Sequence, residues 1–166
     1  MKSKKRKKVK AKRVKRAKKV MPVPSGFHTV TPYLSVIDAT QLLEFVKKAF
    51  DAREKEVHRS PEGKVLHAAV KIGDSMVMIA DAGSMAPTPA ALYLYVNDTD
   101  KFYKQGLEAG GTSLMEPADQ FYGDRNAGVK DASGCSWWIA TLIEDVSKKE
   151  MQKRMDEAMK KRSAQN

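Results

Sequence analysis

The alternation of hydrophobic and polar positions changes period several times along the chain, and each period predicts one element. Residues 29–37 alternate and are rich in β-branched and aromatic side chains, which favours a strand. Apolar residues then recur at helical spacing up to about Phe50, after a cap at Asp38 or Thr40. Three more strands, joined by turns that contain glycine, are predicted near 53–60, 64–73 and 75–81.

The same order of elements begins again after a linker over 82–89. A strand over 90–97 leads to Asp98, which caps a helix that ends near Ala109. Strands follow near 112–117, 123–130 and 135–143. Identical residues stand 60 positions apart on matching elements, among them Tyr33 and Tyr93, Leu34 and Leu94, Val36 and Val96, and Asp38 and Asp98. Because one unit alone would leave a sheet face uncovered, the two units must pack together.

This pattern predicts an α+β protein built from two βαβββ modules and one extra helix. Ser147 and Glu150 form a capping box for that C-terminal helix, which runs to about Lys161. The chain therefore divides into a basic tail with a hinge, the two modules, and the C-terminal helix with a short tail, at residues 1–25, 26–146 and 147–166.

Positive charge is concentrated at the N-terminus. Residues 1–20 contain 13 Lys or Arg and no acidic residue, whereas the rest of the chain has 18 basic against 20 acidic residues. The segment has too few apolar side chains to offset chain entropy, so we expect it to be disordered. Through residues 2–20 it should bind nucleic acid or another polyanion without sequence preference, with Lys4, Lys5, Arg6, Lys7, Lys8, Arg13 and Arg16 as candidate contacts. The alternative is that the tail only improves solubility.

The rest of the composition bears on location. Cys135 is the single cysteine, which excludes an intramolecular disulfide and fits a reducing compartment, so we expect a cytoplasmic protein. No apolar run approaches membrane-spanning length, and the charged N-terminus is not followed by the apolar segment of a secretory signal. We therefore expect no membrane partner.

Several short motifs occur together in the two modules. They are Phe27 to Leu34, His67-Ala68-Ala69 ahead of Ile72-Gly73-Asp74-Ser75, Tyr122-Gly123-Asp124-Arg125, and Asp131 to Gly134 followed by Trp137 to Thr141. Over about residues 26–155 the chain thereby resembles the vicinal oxygen chelate (VOC) superfamily of glyoxalase I, bleomycin-resistance proteins and extradiol dioxygenases, and within it the PhnB-like branch. The resemblance implies a glyoxalase-like cupped mixed sheet and a homodimer.

In members of this superfamily that bind a metal, each module supplies two ligands, usually His or Glu, from its first and last strands. The matching positions here are Thr31 and Met78 in the first module, and Ala91 and Trp138 in the second. A hydroxyl, a thioether, a methyl group and an indole do not make a site for a divalent metal, so we expect no metal and no cofactor. Spacing does not predict a metal-binding pair among the histidines, which are His28, His58 and His67.

Strand alternation divides the side chains between a core face under the helices and a concave face, the cup. The rule assigns to the core of the third strand Leu66, Ala68 and Val70. It assigns to the cup a candidate ligand-binding set of Tyr33, His67, Met78, Tyr93, Tyr95, Arg125 and Trp138. Tyr33 and Tyr93 are expected on facing walls, and Arg125 or His67 is expected to pair with an acidic group of the ligand.

Two structural alternatives stay open at this point. The large cup residues, such as Trp138, could simply fill an interface between sheets. Arg125 could close a local ion pair with Asp124 in a turn.

Three functions are compatible with these observations. The first is a metal-free protein that binds a small planar organic molecule in an aromatic cup. The second is an enzyme of the lyase, isomerase or dioxygenase type, with a metal in a shifted site or His67 as an acid–base group, although the sequence identifies no catalytic residue. The third is a protein tethered to a polyanion through its basic tail. The missing metal ligands favour the first over the second.

Overall fold

A computed structural model describes residues 22–83 and 86–163. The first module contains β1 (Tyr33–Val36), α1 (Ala39–Phe50), β2 (Arg53–Arg59), β3 (Val65–Ile72) and β4 (Ser75–Asp81). The second contains β5 (Ala91–Tyr95), α2 (Thr99–Glu108), β6 (Thr112–Asp119), β7 (Asp124–Lys130) and β8 (Ser136–Leu142), and it is followed by α3 (Lys148–Ser163). The predicted pair of βαβββ modules with a C-terminal helix is confirmed. The candidate polyanion contacts of the tail all lie outside the described residues.

Local capping explains where the helices begin. The Asp38 carboxylate accepts a hydrogen bond from the backbone N–H of Gln41 at 2.9 Å, and Asp98 accepts one from Lys101 at 3.0 Å. Each aspartate satisfies a donor that the first helical turn leaves unpaired. Asp38, and not Thr40, is therefore the cap of α1. No helix within the described ranges is both long and apolar enough to cross a membrane.

Each module forms its own four-stranded sheet, with strand orders β1-β4-β3-β2 and β5-β8-β7-β6. The first strand of a module runs parallel to its last strand, and the other pairs are antiparallel. The strands β1 and β5 therefore lie at sheet edges. β1 is shorter than predicted because Thr31, which donates to the His28 carbonyl at 3.0 Å, lies in a turn before it.

One hydrophobic core lies between the two sheets. Helix α1 packs on the first sheet, α2 packs on the second, and the two helices pack against each other. The buried indole of Trp137 on β8 lies 4.9 Å from the ring of Phe50 and 6.3 Å from that of Phe45, both on α1. The helices thus separate the sheets, and the helix-free face of each sheet points away from the other module.

The two modules match in register, but not at a constant spacing. Met78 and Trp138 stand 60 residues apart, while their partners on the neighbouring strands, Ala69 and Gly128, stand 59 apart. The chain between Gly128 and Trp138 is one residue longer than the chain between Ala69 and Met78. Consequently His67 corresponds to Asn126, one position before the residue that a uniform offset would give.

Candidate ligand-binding site

We call the helix-free face of each sheet its cup face. In the first module, Tyr33 lies beside Met78, and the Tyr33 and His67 rings are 6.4 Å apart. In the second module, Tyr93 lies beside Trp138, with Tyr95 two residues further along the same face. The structure therefore places on cup faces every predicted binding residue except Arg125.

The expected cup position of Arg125 is wrong. Its cross-strand partner is Thr141, whose hydroxyl contacts Thr99 at the start of α2, so this pair faces the helices. The guanidinium donates to Asp100 on α2 at 2.7 Å and to Asp119 on β6 at 2.8 Å. Arg125 thus ties a helix to an edge strand, and the alternative of a pair with Asp124 is also wrong.

The reason is the change of offset between the modules. Carrying His67 forward by 60 residues gives Ala127 and, by alternation, Arg125. In the structure Ala127 is fully buried and pairs with Ile139 on the core side. A bulge causes a related error in β3, where Leu66 is 61% exposed and Val65 occupies the core position that alternation assigned to Leu66.

The centre of the second cup face is an aromatic platform. Gly128 leaves room for the Trp138 ring, because a Cβ atom on Gly128 would lie only 2.9 Å from the nearest indole carbon. The Tyr93 and Tyr95 rings lie 5.3 Å apart, and their exposed fractions are 47% and 69%. Large exposed rings around a few polar atoms are typical of sites for organic molecules.

A buried carboxylate anchors this platform. Asp124 Oδ2 accepts hydrogen bonds from the hydroxyls of Tyr93 at 2.9 Å and Tyr95 at 3.2 Å, and the side-chain amide of Asn126 donates to Tyr93 at 2.8 Å. Burial, the hydrogen bond to Asp124 and the nearby Tyr122 hydroxyl raise the pKa of Tyr93 above its ordinary value. Tyr93 therefore remains a proton donor over the whole physiological range. The alternation rule did not single out Asp124 or Asn126 as site residues.

The first cup face carries imidazoles instead. His58 and His67 are direct partners on β2 and β3, with ring centroids 6.3 Å apart, a proximity that their spacing in the sequence did not predict. Glu56 Oε1 lies 3.4 Å from His67 Nε2, and Glu56 Oε2 lies 3.9 Å from His58 Nε2. A carboxylate beside an imidazole can orient it and support proton transfer. The turn over residues 61–63, which joins β2 and β3 as a hairpin, is the feature of the sequence that could have revealed this pairing.

The residues at the superfamily's metal positions do not fit a metal. The Thr31 hydroxyl is engaged with a backbone carbonyl, and Met78 and Trp138 lie on cup faces of different sheets. Across the parts of the chain that the structure describes, no three His, Cys, Asp or Glu side chains are grouped to hold a metal ion. An organic molecule bound on the cup faces would therefore contact aromatic rings, hydroxyls and nearby charged groups, and not a metal ion.

The two cup faces do not form one cavity within a single chain. Tyr33, which is 53% exposed, and Tyr93 lie on outward faces of different sheets, so the expectation that they stand on facing walls is wrong for one chain. A groove of about 980 Å³ runs between the β3–β4 turn and the edge of β5, and its lining includes Phe50 and Trp137 as well as Tyr93 and Tyr95 of the second cup face. Its position leaves the outer edge of β5 accessible.

Comparison with known proteins agrees with this architecture. The model of the Glyoxalase/Bleomycin resistance protein/Dioxygenase superfamily matches residues 26–139. The uncharacterized protein Mb0911c of Mycobacterium bovis is 35% identical over 138 residues, which cover 76% of this chain and 91% of that protein. The uncharacterized protein Rv0887c of Mycobacterium tuberculosis H37Rv is 35% identical over 138 residues, covering 76% of this chain and 81% of that protein.

Two solved structures are similar in fold. TioX from Micromonospora sp. ML1 has a TM-score of 0.61 at 20% identity, covering 69% of this chain and 98% of that one. The PhnB protein from Bacillus cereus has a TM-score of 0.55 at 20% identity, covering 69% of this chain and 99% of that one. At such identities the likeness shows a shared fold and nothing about ligands.

Proposed function

Because this chain belongs to the glyoxalase/bleomycin resistance protein/dioxygenase superfamily, we propose that it is a metal-free protein that binds a planar organic molecule on its aromatic cup faces. The single observation that carries the proposal is the aromatic platform in which the exposed rings of Tyr93 and Tyr95 lie beside the half-buried Trp138, the residue at a position where metal-binding relatives would carry a ligand. A ring stacked on this platform gains apolar burial and about 0.5–1.5 kcal/mol per aromatic pair beyond the buried area.

Trp138 provides the test. Titration with flat aromatic compounds should change the fluorescence of Trp138, while the fully buried Trp137 gives a constant background. Trp138→Ala should weaken binding by more than about tenfold, a loss of about 1.4 kcal/mol, without unfolding the domain. Trp138→Phe, followed by calorimetry, is the matched control because it keeps a ring and should retain most of the affinity. Undiminished binding by Trp138→Ala would refute the proposal, as would one tightly held metal ion per chain.

We further propose that two copies of the chain assemble the cup as a homodimer. The cup faces of one chain point away from each other, so the first module of one copy and the second module of another would have to enclose the ligand. The outer edge of β5 is available for such an arrangement, whereas the Ser35 carbonyl on the outer edge of β1 accepts a hydrogen bond from Thr88. Exposed apolar side chains of the two sheets include Leu66 on β3 and Leu142 on β8, the neighbour of β5.

Light scattering coupled to gel filtration tests the homodimer directly. The expected mass is twice the 18.5 kDa of one chain, and dilution to the monomer should abolish ligand binding. Binding with full affinity by a monomer would show that one cup face suffices.

We also propose a second, compatible role, in which the basic tail tethers the protein to a polyanion. The proposed location is the cytoplasm, which fits the single cysteine. Thirteen cations in the first twenty residues should release counterions from duplex DNA or RNA, so that affinity falls steeply with salt. Deleting residues 2–20 should abolish this binding, because the remaining chain carries two more acidic than basic residues. Equal binding by the truncated and full chains would contradict the tether.

A further inference from the structure

Asp124 is a buried carboxylate that has no cation beside it among the described side chains. The residue is only 4% exposed, and the hydrogen bonds it accepts from side chains both end on Oδ2. Among the side chains that the structure describes, no Lys, Arg or His forms an ion pair with it. The adjacent Arg125 faces the opposite side of the sheet, where Asp100 and Asp119 hold it. Two phenol hydroxyls solvate the carboxylate but leave its charge uncompensated, which is costly in a buried place.

The surroundings of Asp124 add to its negative potential. The ring faces of Tyr93 and Tyr95 are electron-rich, and both rings lie over the same cup face with their hydroxyls on the carboxylate. The basic residue on this face of β7 is Lys130, which lies six residues from Asp124 and therefore about 20 Å along the strand. A carboxylate flanked by tyrosine rings is the arrangement that attracts organic ammonium groups.

We propose that the cup face of the second module is a cation-selective half-site, in which Asp124 and the rings of Tyr93 and Tyr95 take the protonated nitrogen of an aromatic amine or amidine. The inference rests on the proposed function, since it names the chemical class of the ligand that the aromatic platform binds. It reverses the preference for acidic ligands that a cup-facing Arg125 would have produced. Trp138 stacks on the flat body of the ligand, and Asp124 selects its charge.

The experiment compares three flat probes of similar size on the full-length protein by calorimetry. At neutral pH 4-aminoquinoline is a cation, quinoline is uncharged and 1-naphthoate is an anion. The wild-type protein should bind 4-aminoquinoline about tenfold more tightly than quinoline, and 1-naphthoate more weakly than either. Asp124→Asn keeps an oxygen that accepts from the tyrosines but removes the charge, so this variant should bind 4-aminoquinoline no more tightly than quinoline.

Glu116→Gln is the matched control, because it removes one carboxylate from the exposed part of β6 and should keep the full preference. Equal affinities of the wild type for all three probes would overturn the cation selectivity but leave the aromatic cup intact. Binding of none of the probes would instead count against both the cup and its selectivity. The ratios of the wild-type affinities for the three probes test the cation selectivity even if Asp124→Asn fails to fold. A preference for the cation that survives in folded Asp124→Asn would show that another group supplies it.

Discussion

At the centre of its cup face the first module carries Met78 between Tyr33 and Ala69, whereas the second carries Trp138 between Tyr93 and Gly128. The tyrosine of the edge strand is the same in both. The neighbour on the other side is alanine beside the methionine of the first module and glycine beside the larger tryptophan of the second module. The two modules therefore share a backbone arrangement but present different side chains on their cup faces.

The cup-face residues two positions earlier on β3 and β7 differ more. The first module has His67 paired with His58 and contacting Glu56, while the second has Asn126 within a network of tyrosines and Asp124. The helix caps Asp38 and Asp98 are identical. The helix caps and the edge-strand tyrosines are thus the same in both modules, whereas the other central positions of the cup faces differ, so any difference in binding between the two faces has to come from those positions.

The largest expected effect concerns the core side of the last strand, where Trp137 corresponds to Val77. Trp137 is fully buried against Phe45 and Phe50, and its indole N–H donates to the buried carboxylate of Asp131 at 2.7 Å. Trp137→Ala should lower the free energy of unfolding by about 3–5 kcal/mol. Val77→Ala removes two methyl groups and should cost about 2 kcal/mol. Urea denaturation measures both.

Trp138→Ala is the control for this prediction, because its ring lies on the cup face and should contribute far less to stability than to binding. Similar losses of stability from Trp137→Ala and Trp138→Ala would mean that both indoles belong to the core. The aromatic platform would then lose its role in binding.

The elements could be predicted from the sequence because each rests on local chemistry. The helix stripes, the caps at Asp38 and Asp98 and the capping box at Ser147 lie within a few residues of the structure they specify. A hydrogen bond from the Glu150 N–H to the Ser147 hydroxyl at 3.3 Å starts α3 as expected. Local patterns of this kind are insensitive to how distant parts of the chain pack.

The candidate site was predicted less completely for two physical reasons. Alternation fixes which residues share a face, but one added turn residue or one bulge reverses the assignment, as happened at Arg125 and Leu66. Alternation also does not say what covers a face, so the position of Tyr33 and Tyr93 on sheets with the helices between them was not foreseeable. The hydrogen bonds of Asp124 depend on three strands and leave no periodic signal.

An intermediate effect is expected where the last strand of each module holds the start of its helix. Asp81 accepts from the backbone N–H of Ala39 at 2.9 Å and from that of Val65 at 2.6 Å. The corresponding Thr141 accepts from the N–H of Thr99 at 3.1 Å and donates to the carbonyl of Val96 at 2.9 Å. The first module therefore uses a charged acceptor where the second uses a hydroxyl.

Asp81→Ala leaves two partly buried donors without a partner and should cost about 2–3 kcal/mol, whereas Thr141→Val should cost about 1–2 kcal/mol. Thermal unfolding of each variant measures the difference. Asp81→Asn, which keeps one acceptor, should fall between the wild type and Asp81→Ala. A larger loss from Thr141→Val than from Asp81→Ala would show that the hydroxyl is the stronger anchor.

The smallest expected effect concerns the ion pairs that tie each helix to a neighbouring edge strand. Arg125 links Asp100 on α2 to Asp119 on β6, and Lys47 on α1 links Glu44 to Glu54 on β2. Arg125 holds the pKa of Asp100 below its ordinary value, mainly through its hydrogen bond, and Lys47 does the same to Glu44. Carboxylates with a lowered pKa stabilise the folded state above their unfolded pKa, and that stabilisation disappears as the pH falls through the folded pKa.

Arg125→Met and Lys47→Met should therefore be slightly less stable than the wild type at neutral pH, and the difference should shrink towards zero as acid protonates Asp100 or Glu44. The loss should be larger for Arg125→Met, because the planar guanidinium binds the Asp100 carboxylate through two parallel hydrogen bonds, whereas the Lys47 ammonium acts as a point charge. Both pairs are partly exposed, so salt should weaken them alike. Chemical denaturation at neutral and acidic pH measures these differences, and a loss for Arg125→Met that stays constant down to the acid end would show that its pairing with the Asp100 carboxylate is not what stabilises the fold.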